Sequence, residues 1–187
     1  MTILAAVRVN ETVLIGADSL EIRQQAGYGE TVDKLYRVPG TSVIWGYYGN
    51  GDAGKLFRKH VVETPVRSWG DLTYKFECAV EKLDSDYVLQ GGFGALFAGD
   101  LHGELRIAGF GSHHRASDEW CFLGLNRLAA QVSWEILATR PNGLNTTERF
   151  RLVMETVIQA SQSLLGMPLN CWRITTSTCE PCNGTDA

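Results

Sequence analysis

The sequence predicts an α+β fold in which two antiparallel β-sheets pack between layers of α-helices. Strand-like apolar runs and helical patterns follow one another in the order strands, two helices, strands, two helices, strand. The chain has 187 residues, 44% of them hydrophobic, which is enough to bury a sizeable core, and no segment is typical of a linker. We therefore expect a single domain over residues 1–178. Small polar residues near the end predict a disordered tail over residues 179–187.

The predicted strands form two groups and a final single strand. Their bounds are 3–9, 13–17, 34–38 and 42–48, then 94–99, 104–109 and 120–123, then 169–175. Turn residues indicate two hairpins, because Asn10-Glu11 separates the first two strands and Leu101-His102-Gly103 separates the fifth and sixth.

Four helices are predicted, two after each group of strands. Their bounds are 52–62, 69–83, 126–139 and 146–164. The last helix has the clearest start, because Asn145 followed three residues later by Glu148 matches a capping box. Its buried stripe is expected to include Phe150, Met154, Val157 and Ser161.

Thr2, Asp18 and Lys34 are the most informative polar residues, because each stands at the end of a predicted strand. If Met1 is removed, Thr2 carries a hydroxyl nucleophile and a free α-amine that accepts the hydroxyl proton. The unperturbed pKa of an α-amine is about 7.7 to 8.0, so part of it is neutral at physiological pH. A buried lysine would favour the neutral amine, and a carboxylate would hold the lysine in place. The three residues therefore predict a nucleophile site.

These residues lie in stretches that match a known pattern, namely residues 2–10, 13–18, 34–38, 43–49 and 52–57. Together the stretches resemble the N-terminal third of proteasome β-type subunits and HslV-like peptidases, which are N-terminal nucleophile (Ntn) hydrolases. The resemblance implies a four-layer αββα sandwich in which Thr2 is the nucleophile, Lys34 tunes its amine and Asp18 pairs with the lysine. It also implies that Gly46 offers a backbone N–H to the oxyanion, an interaction worth several kcal/mol in a dry site.

The resemblance weakens after the first helix. Where the family has Gly-Ser-Gly, this sequence reads Gly124-Leu125-Asn126, and where the family has a later Asp and Ser, it has Gln162 and Leu165. Two accessory hydroxyls and one carboxylate are therefore missing. Three hypotheses stay open: a threonine peptidase in a self-compartmentalising ring, a catalytically silent ring subunit, and an Ntn hydrolase that acts on a small amide.

Four residues are expected to bind substrate. Trp45 and Tyr47 lie on the strand that carries Gly46, and with Tyr48 they alternate across it, so that one face lines a pocket while the other packs in the core. The family pattern adds Glu21 and Tyr36 to this pocket.

The resemblance further implies a peptide or unfolded-protein substrate, a homo-oligomeric ring and an ATP-dependent unfoldase as partner. We expect no cofactor and no metal. A net charge of −4 without a run of basic residues gives no electrostatic case for nucleic acid. The apolar stretches are too short to cross a membrane, and no targeting segment opens the chain, so we expect a cytoplasmic protein.

Three other motifs compete for a functional role. Residues 49–55 match G-x-x-x-x-G-K, but Leu56 replaces the Ser or Thr that would bind magnesium, and Asp52 would place negative charge in the phosphate cradle. Cys179-Glu180-Pro181-Cys182 has metal-ligand spacing but no second pair of ligands, and the five cysteines are expected to be free thiols. His113-His114 is interpreted as part of a surface loop, because adjacent side chains point apart.

Overall fold

The structure is a computed structural model that describes residues 2–23, 28–49, 51–63, 65–82, 93–111, 119–139, 143–161 and 165–182. Within these ranges, two antiparallel sheets lie face to face, and a pair of helices covers the outer face of each sheet. The predicted four-layer αββα arrangement is therefore confirmed. Predicted residues His113 and His114 lie outside the described ranges.

The described residues form eleven strands and four helices. The strands are β1 (Ile3–Val9), β2 (Thr12–Ala17), β3 (Leu20–Arg23), β4 (Tyr28–Thr31), β5 (Leu35–Arg37), β6 (Ser42–Gly49), β7 (Phe93–Leu101), β8 (Glu104–Gly111), β9 (Trp120–Gly124), β10 (Asn170–Ile174) and β11 (Cys179–Pro181). The helices are α1 (Gly51–Glu63), α2 (Trp69–Lys82), α3 (Arg127–Thr139) and α4 (Thr146–Ala160).

The first sheet has the spatial order β11-β10-β2-β1-β9, and its neighbouring strands are antiparallel. β1 is paired on both sides, with Leu4 opposite Ala17 of β2 and Ile3 opposite Gly124 of β9. The start of β1, the end of β2 and the end of β9 therefore meet at one end of the sandwich, where these strands terminate. Thr2 and Asp18 lie at this end of the sandwich, because Thr2 directly precedes β1 and Asp18 directly follows β2.

The second sheet has the spatial order β5-β6-β7-β8 and is also antiparallel. Gly46 of β6 lies opposite Leu35 of β5, so Lys34 directly precedes a residue that is paired with Gly46. Side chains of β6 alternate between the two faces: Ile44 packs between the sheets, whereas Trp45 packs towards α1 and α2. This alternation decides which residues of β6 face Thr2.

Three apolar clusters hold the layers together. The cluster between the sheets includes Leu4 and Ile44, both fully buried. Phe57 of α1 belongs to the cluster on the second sheet, and Trp134 of α3 and Phe150 of α4 belong to the cluster on the first sheet. Burial of one large apolar side chain contributes about 1.5–3 kcal/mol, so these clusters are the main source of stability.

The capping box at the start of α4 is confirmed. Glu148 N donates to Asn145 Oδ1 at 3.0 Å, and Asn145 N donates to Glu148 Oε2 at 2.7 Å. The helix ends at Ala160 rather than at residue 164, because Ser161 leaves the helical conformation at φ −116° and ψ 27°. Ser161 thus caps the helix while its side chain stays in the predicted buried stripe.

Two elements differ from the prediction. β3 and β4 form a separate two-stranded hairpin, which was missed because each strand has only four residues. β11 lies inside the segment that was predicted to be disordered, with Pro181 opposite Trp172 of β10. The tail prediction is wrong for Cys179–Pro181, because pairing with β10 satisfies the backbone of these residues. Residues 183–187 lie outside the described ranges.

The five cysteines, all within the described ranges, form no disulfide. Cys179 packs against the cluster between the sheets, whereas Cys182 packs against the cluster under α3 and α4. The two cysteine side chains of the C-x-x-C motif therefore lie on opposite faces of the first sheet and are not placed to bind one metal ion together. Among the described helices, none is long and apolar enough to cross a bilayer.

The G-x-x-x-x-G-K motif does not form a nucleotide site in this fold. β6, which precedes it, pairs antiparallel with both neighbours, whereas P-loop proteins carry this motif in a sheet of parallel strands joined by crossovers. Gly54 has a packing role instead. A Cβ atom at this position would lie 2.0 Å from the ring of Tyr47, so only glycine lets α1 approach β6 this closely.

We predict that Gly54→Ala destabilises the protein by roughly 1–3 kcal/mol, because the added methyl group overlaps the Tyr47 ring and displaces α1. Gly51→Ala is the matched control in the same helix, because nothing lies within 4 Å of its Cβ position. Urea denaturation of both variants measures the difference. Equal free energies of unfolding for the two variants would show that Gly54 has no such packing role.

Candidate active site

Asp18 and Lys34 form a buried ion pair at the end of the sandwich where β1 begins and β2 ends. Lys34 Nζ lies 3.0 Å from Oδ1 and 2.9 Å from Oδ2 of Asp18, and it also donates to the carbonyl of Leu20 at 2.5 Å. Asp18 is fully buried, and Lys34 is 9% exposed. The sequence analysis predicted this pair, and the structure brings the two residues together.

The Asp18 carboxylate also organises the surrounding backbone. Its Oδ1 accepts from Ile3 N at 3.1 Å, and its Oδ2 accepts from Leu20 N at 3.2 Å and from Gly166 N at 3.4 Å. Each carboxylate oxygen therefore has a backbone partner as well as the lysine. Such partners offset the cost of removing the charge from water.

Thr2 is placed beside this pair by the backbone. The amide of Ile3, the next residue, donates to Asp18, and the Thr2 carbonyl accepts from Leu125 N at 3.0 Å. Gly124 permits the second contact, because its φ of +87° is favourable for glycine and a Cβ there would lie 2.1 Å from the Thr2 carbonyl oxygen. Thr2 is half-buried, and Met1 lies outside the described residues.

Gly46 lies on the face of β6 that points towards the first sheet. A Cβ atom at Gly46 would lie 2.8 Å from Leu4 Cδ2 and 2.8 Å from the carbonyl oxygen of Lys34. The missing side chain thus allows the second sheet to reach both the first strand and the lysine. The backbone of Gly46 stands close to Lys34, and its role as oxyanion donor remains a prediction.

Two of the positions where the family resemblance fails, Leu125 and Leu165, are apolar and packed. Leu125 packs against the cluster under α3 and α4, and Leu165 is 1% exposed in the same cluster. Neither side chain can supply a hydroxyl to Thr2. Gln162 lies outside the described residues.

Three predicted substrate-binding residues lie on the side of the second sheet that faces the helices. Trp45 is fully buried and contacts the ring of Phe57 of α1, with centroids 5.0 Å apart. Tyr47 and Tyr36 pack against the same cluster as Trp45 and stack on each other with centroids 6.3 Å apart. The prediction is wrong for Trp45, which has no exposed surface that could touch a substrate. Tyr36 and Tyr47 face the helices and not the first sheet, and their place in a substrate pocket stays a prediction.

Tyr48 is the aromatic residue of β6 that lies on the same face as Gly46. It has the same strand parity as Gly46 and packs against the cluster between the sheets. Burial raises the pKa of its phenol, and the nearby Arg127 guanidinium at the start of α3 partly offsets that rise in pKa. Once Gly46 is assigned to the site, the two-residue period of a strand identifies Tyr48 from sequence alone.

Glu21 lies in β3, opposite Glu30 of β4. The structure gives its backbone position only, so its place in a substrate pocket stays a prediction. In the described ranges, no group of three or more His, Cys, Asp or Glu side chains is arranged to hold a metal ion.

Two antiparallel sheets between helical layers, with Thr2 at the start of the first strand, define the Ntn-hydrolase type of fold. The structure superposes on eukaryotic HslV from Trypanosoma brucei with a TM-score of 0.66 and 13% identity, covering 92% of this chain and 99% of that one. It is also similar to Thiobacillus denitrificans BPH, with a TM-score of 0.69 and 15% identity over 94% of this chain and 98% of that one.

The same Thiobacillus protein in complex with epoxomicin gives a TM-score of 0.65 and 15% identity, over 95% of this chain and the whole (100%) of the other. No family model and no curated protein matches the sequence. At this level of identity the likeness defines the fold. The chain therefore has the proteasome-like and HslV-like Ntn fold that the sequence resemblance implied.

We predict that Asp18→Asn destabilises the protein by roughly 3–5 kcal/mol, because it leaves the buried Lys34 without its counter-charge. The control is Glu104→Gln, which removes an exposed ion pair with Arg106. The side chain of Glu104 is 50% exposed, and that of Arg106 is 54% exposed. Loss of that exposed pair should cost about 1 kcal/mol or less.

Denaturation by urea measures both variants. The double variant Asp18→Asn with Lys34→Met removes both charges and should recover much of the lost stability. If Asp18→Asn costs no more than Glu104→Gln, the pair is not buried as the structure shows.

Proposed function

We propose that this chain is an N-terminal-threonine peptidase in which Thr2, made N-terminal by removal of Met1, hydrolyses peptide bonds. The observation that carries the proposal is the buried Asp18–Lys34 pair, which is hydrogen-bonded to the amide next to Thr2. The fold likeness to HslV and to a protein that binds epoxomicin supports it.

In the first half of the proposed reaction, Thr2 Oγ1 attacks the carbonyl carbon of the peptide, and the α-amine takes the hydroxyl proton. The Lys34 ammonium favours the neutral form of this amine, because a second positive charge nearby is unfavourable. The backbone N–H of Gly46 stabilises the oxyanion. The C–N bond then breaks, and the ammonium of Thr2 returns its proton to the leaving amine.

In the second half, the α-amine takes a proton from water, and the resulting hydroxide attacks the ester on Thr2. The ester C–O bond breaks, and the proton returns to Thr2 Oγ1. The reaction needs no other co-reactant, and the enzyme is restored.

A catalytically silent subunit is the second candidate. It is favoured by Leu125 and Leu165, which are packed apolar residues where the family resemblance places hydroxyls. In that case the chain would keep the sandwich and contribute only to an assembly.

We extend the proposal to a homo-oligomeric ring. Leu128, Val132 and Ile136 form a stripe on α3 that is 66%, 52% and 45% exposed, and we name it the α3 ridge. The spacing of four residues puts these side chains on one helix face, whereas Ala130 and Trp134 face the core. An exposed apolar stripe of this kind favours association. An ATP-dependent unfoldase partner belongs to the proposal and is supported by the sequence resemblance alone. A cytoplasmic location also belongs to it and is supported only by the apolar pattern of the sequence.

Intact mass spectrometry before and after treatment with epoxomicin tests the proposed site. We expect the untreated protein to lack Met1, because an N-terminal amine is needed for both catalysis and the reaction with an epoxyketone. We expect one adduct on Thr2 and none on the Thr2→Ala variant. Hydrolysis of fluorogenic peptides, measured in parallel, should be lost in that variant.

Different outcomes separate the three candidates. Retention of Met1 without an adduct would overturn the peptidase and leave the silent subunit. Cleavage of small amides without cleavage of any peptide would favour the small-amide hydrolase. An adduct together with Thr2-dependent peptide cleavage would exclude the silent subunit.

The ring is tested by the mass of the assembly. We predict that Val132→Glu lowers the mass measured by size-exclusion chromatography with light scattering, because it places a charge in the middle of the α3 ridge. Tyr74→Glu is the control, since Tyr74 is 65% exposed but lies on α2. An unchanged mass for Val132→Glu, or a monomeric unaltered protein, would contradict the proposed interface.

A further inference from the structure

Ser161 is a buried polar residue that the proposed reaction does not use. It is 8% exposed and follows α4 directly. Its hydroxyl donates to the carbonyl of Val157 at 2.8 Å and accepts a hydrogen bond from Asn126 Nδ2. The bond between Asn126 and Ser161 joins two segments that are far apart in sequence but adjacent to Thr2 and Asp18.

Asn126 belongs to the segment that holds Thr2. It directly follows Leu125, whose amide donates to the Thr2 carbonyl at 3.0 Å. Its φ of 56° lies in the left-handed region, which asparagine tolerates better than most residues. This conformation ends β9 and begins α3, so the position of Asn126 fixes how the preceding amide meets Thr2.

Ser161 belongs to the segment that holds Asp18. Its carbonyl accepts from Leu165 N at 3.0 Å, and Gly166 N donates to Asp18 Oδ2 at 3.4 Å. The Gly166 carbonyl accepts from Ser19 N at 2.9 Å and from Ser19 Oγ at 3.2 Å. The end of α4 is therefore linked through Gly166 to the carboxylate and to the residue after it.

We propose that Asn126 and Ser161 are a positioning pair that fixes Thr2 relative to the Asp18–Lys34 ion pair. The consequences for catalysis rest on the proposed function, whereas the positioning itself does not. The pair joins the segment whose Leu125 amide binds the Thr2 carbonyl to the segment whose Gly166 amide binds the Asp18 carboxylate. Displacement of a reacting group by about 1 Å costs on the order of a hundredfold in rate, so such a link affects turnover without touching the substrate.

The variants Ser161→Ala and Asn126→Gly each remove one side of the link. Glycine is chosen at position 126 because it adopts the φ of 56° without strain. Thr73→Ala is the matched control, because Thr73 Oγ1 makes the same helical bond to the carbonyl of Trp69, at 3.0 Å, on α2. Ser161→Thr keeps the hydroxyl and serves as the rescue variant.

Amide hydrogen exchange measures positioning directly and does not require activity. In Ser161→Ala and in Asn126→Gly we expect exchange at the amides of Leu125 and Gly166 to be faster by roughly tenfold, because both hydrogen bonds open more often. The double variant should exchange no faster than either single variant, and Thr73→Ala should leave both amides unchanged.

Kinetics then measure the consequence for catalysis. We expect Ser161→Ala to lower kcat by about tenfold with little change in KM, because the pair aligns reacting groups and does not bind substrate. Ser161→Thr should recover most of the loss. A smaller fraction of folded protein also lowers the apparent kcat at unchanged KM, so kcat is calculated per site titrated with epoxomicin, and Thr73→Ala should leave that value unchanged.

Unchanged exchange at Leu125 and Gly166 in the two single variants would overturn the positioning pair. Additive effects in the double variant would overturn it too, since the residues would then act separately. If the unaltered protein forms no epoxomicin adduct and cleaves no peptide, the proposed function fails, while the exchange measurements still decide whether the pair positions Thr2.

Discussion

The buried ion pair between Asp18 and Lys34 is the interaction on which the geometry of the candidate site depends. Besides the lysine, the carboxylate accepts from the amides of Ile3, Leu20 and Gly166, so distant parts of the chain meet at one side chain. Removing two charges from water is costly, and a buried pair adds little net stability. It does fix an arrangement, because displacing any of these segments leaves a buried charge or amide without its partner.

Two glycines let the backbone come close enough to use this pair. At Gly46, a side chain would fill the space between Leu4 and the Lys34 carbonyl; at Gly124 it would collide with the carbonyl of Thr2. Gly124 also needs its φ of +87°, which other residues rarely adopt. The two glycines lie in different sheets, Gly46 in β6 and Gly124 in β9. Thr2 is therefore positioned mainly by backbone contacts, and the ion pair lies next to the segment that carries it.

Features encoded locally could be predicted from the sequence. Strand alternation gave the bounds of β1 correctly, and the spacing of Asn145 and Glu148 located the start of α4. Trp45 was assigned to the wrong face because aromatic residues suit both a pocket and a core, and only the partner sheet distinguishes them. β11 forms because the edge of β10 offers hydrogen bonds, which its own residues do not signal. No sequence pattern predicts the hydrogen bond between Asn126 and Ser161, because the two residues are far apart in the chain.

The ion pair also bears on the choice between a peptidase and a silent subunit. A chain that only had to fill a place in an assembly would be as stable, or more stable by about 1–4 kcal/mol, with packed apolar residues at positions 18 and 34. Here a fully buried carboxylate instead receives the amide of Ile3, the residue that follows Thr2. Packing accounts for Leu125 and Leu165, but it does not account for a lysine directed to this point. The proposed chemistry at Thr2 accounts for it, because a fixed positive charge beside an α-amine favours the neutral amine, which can accept a proton.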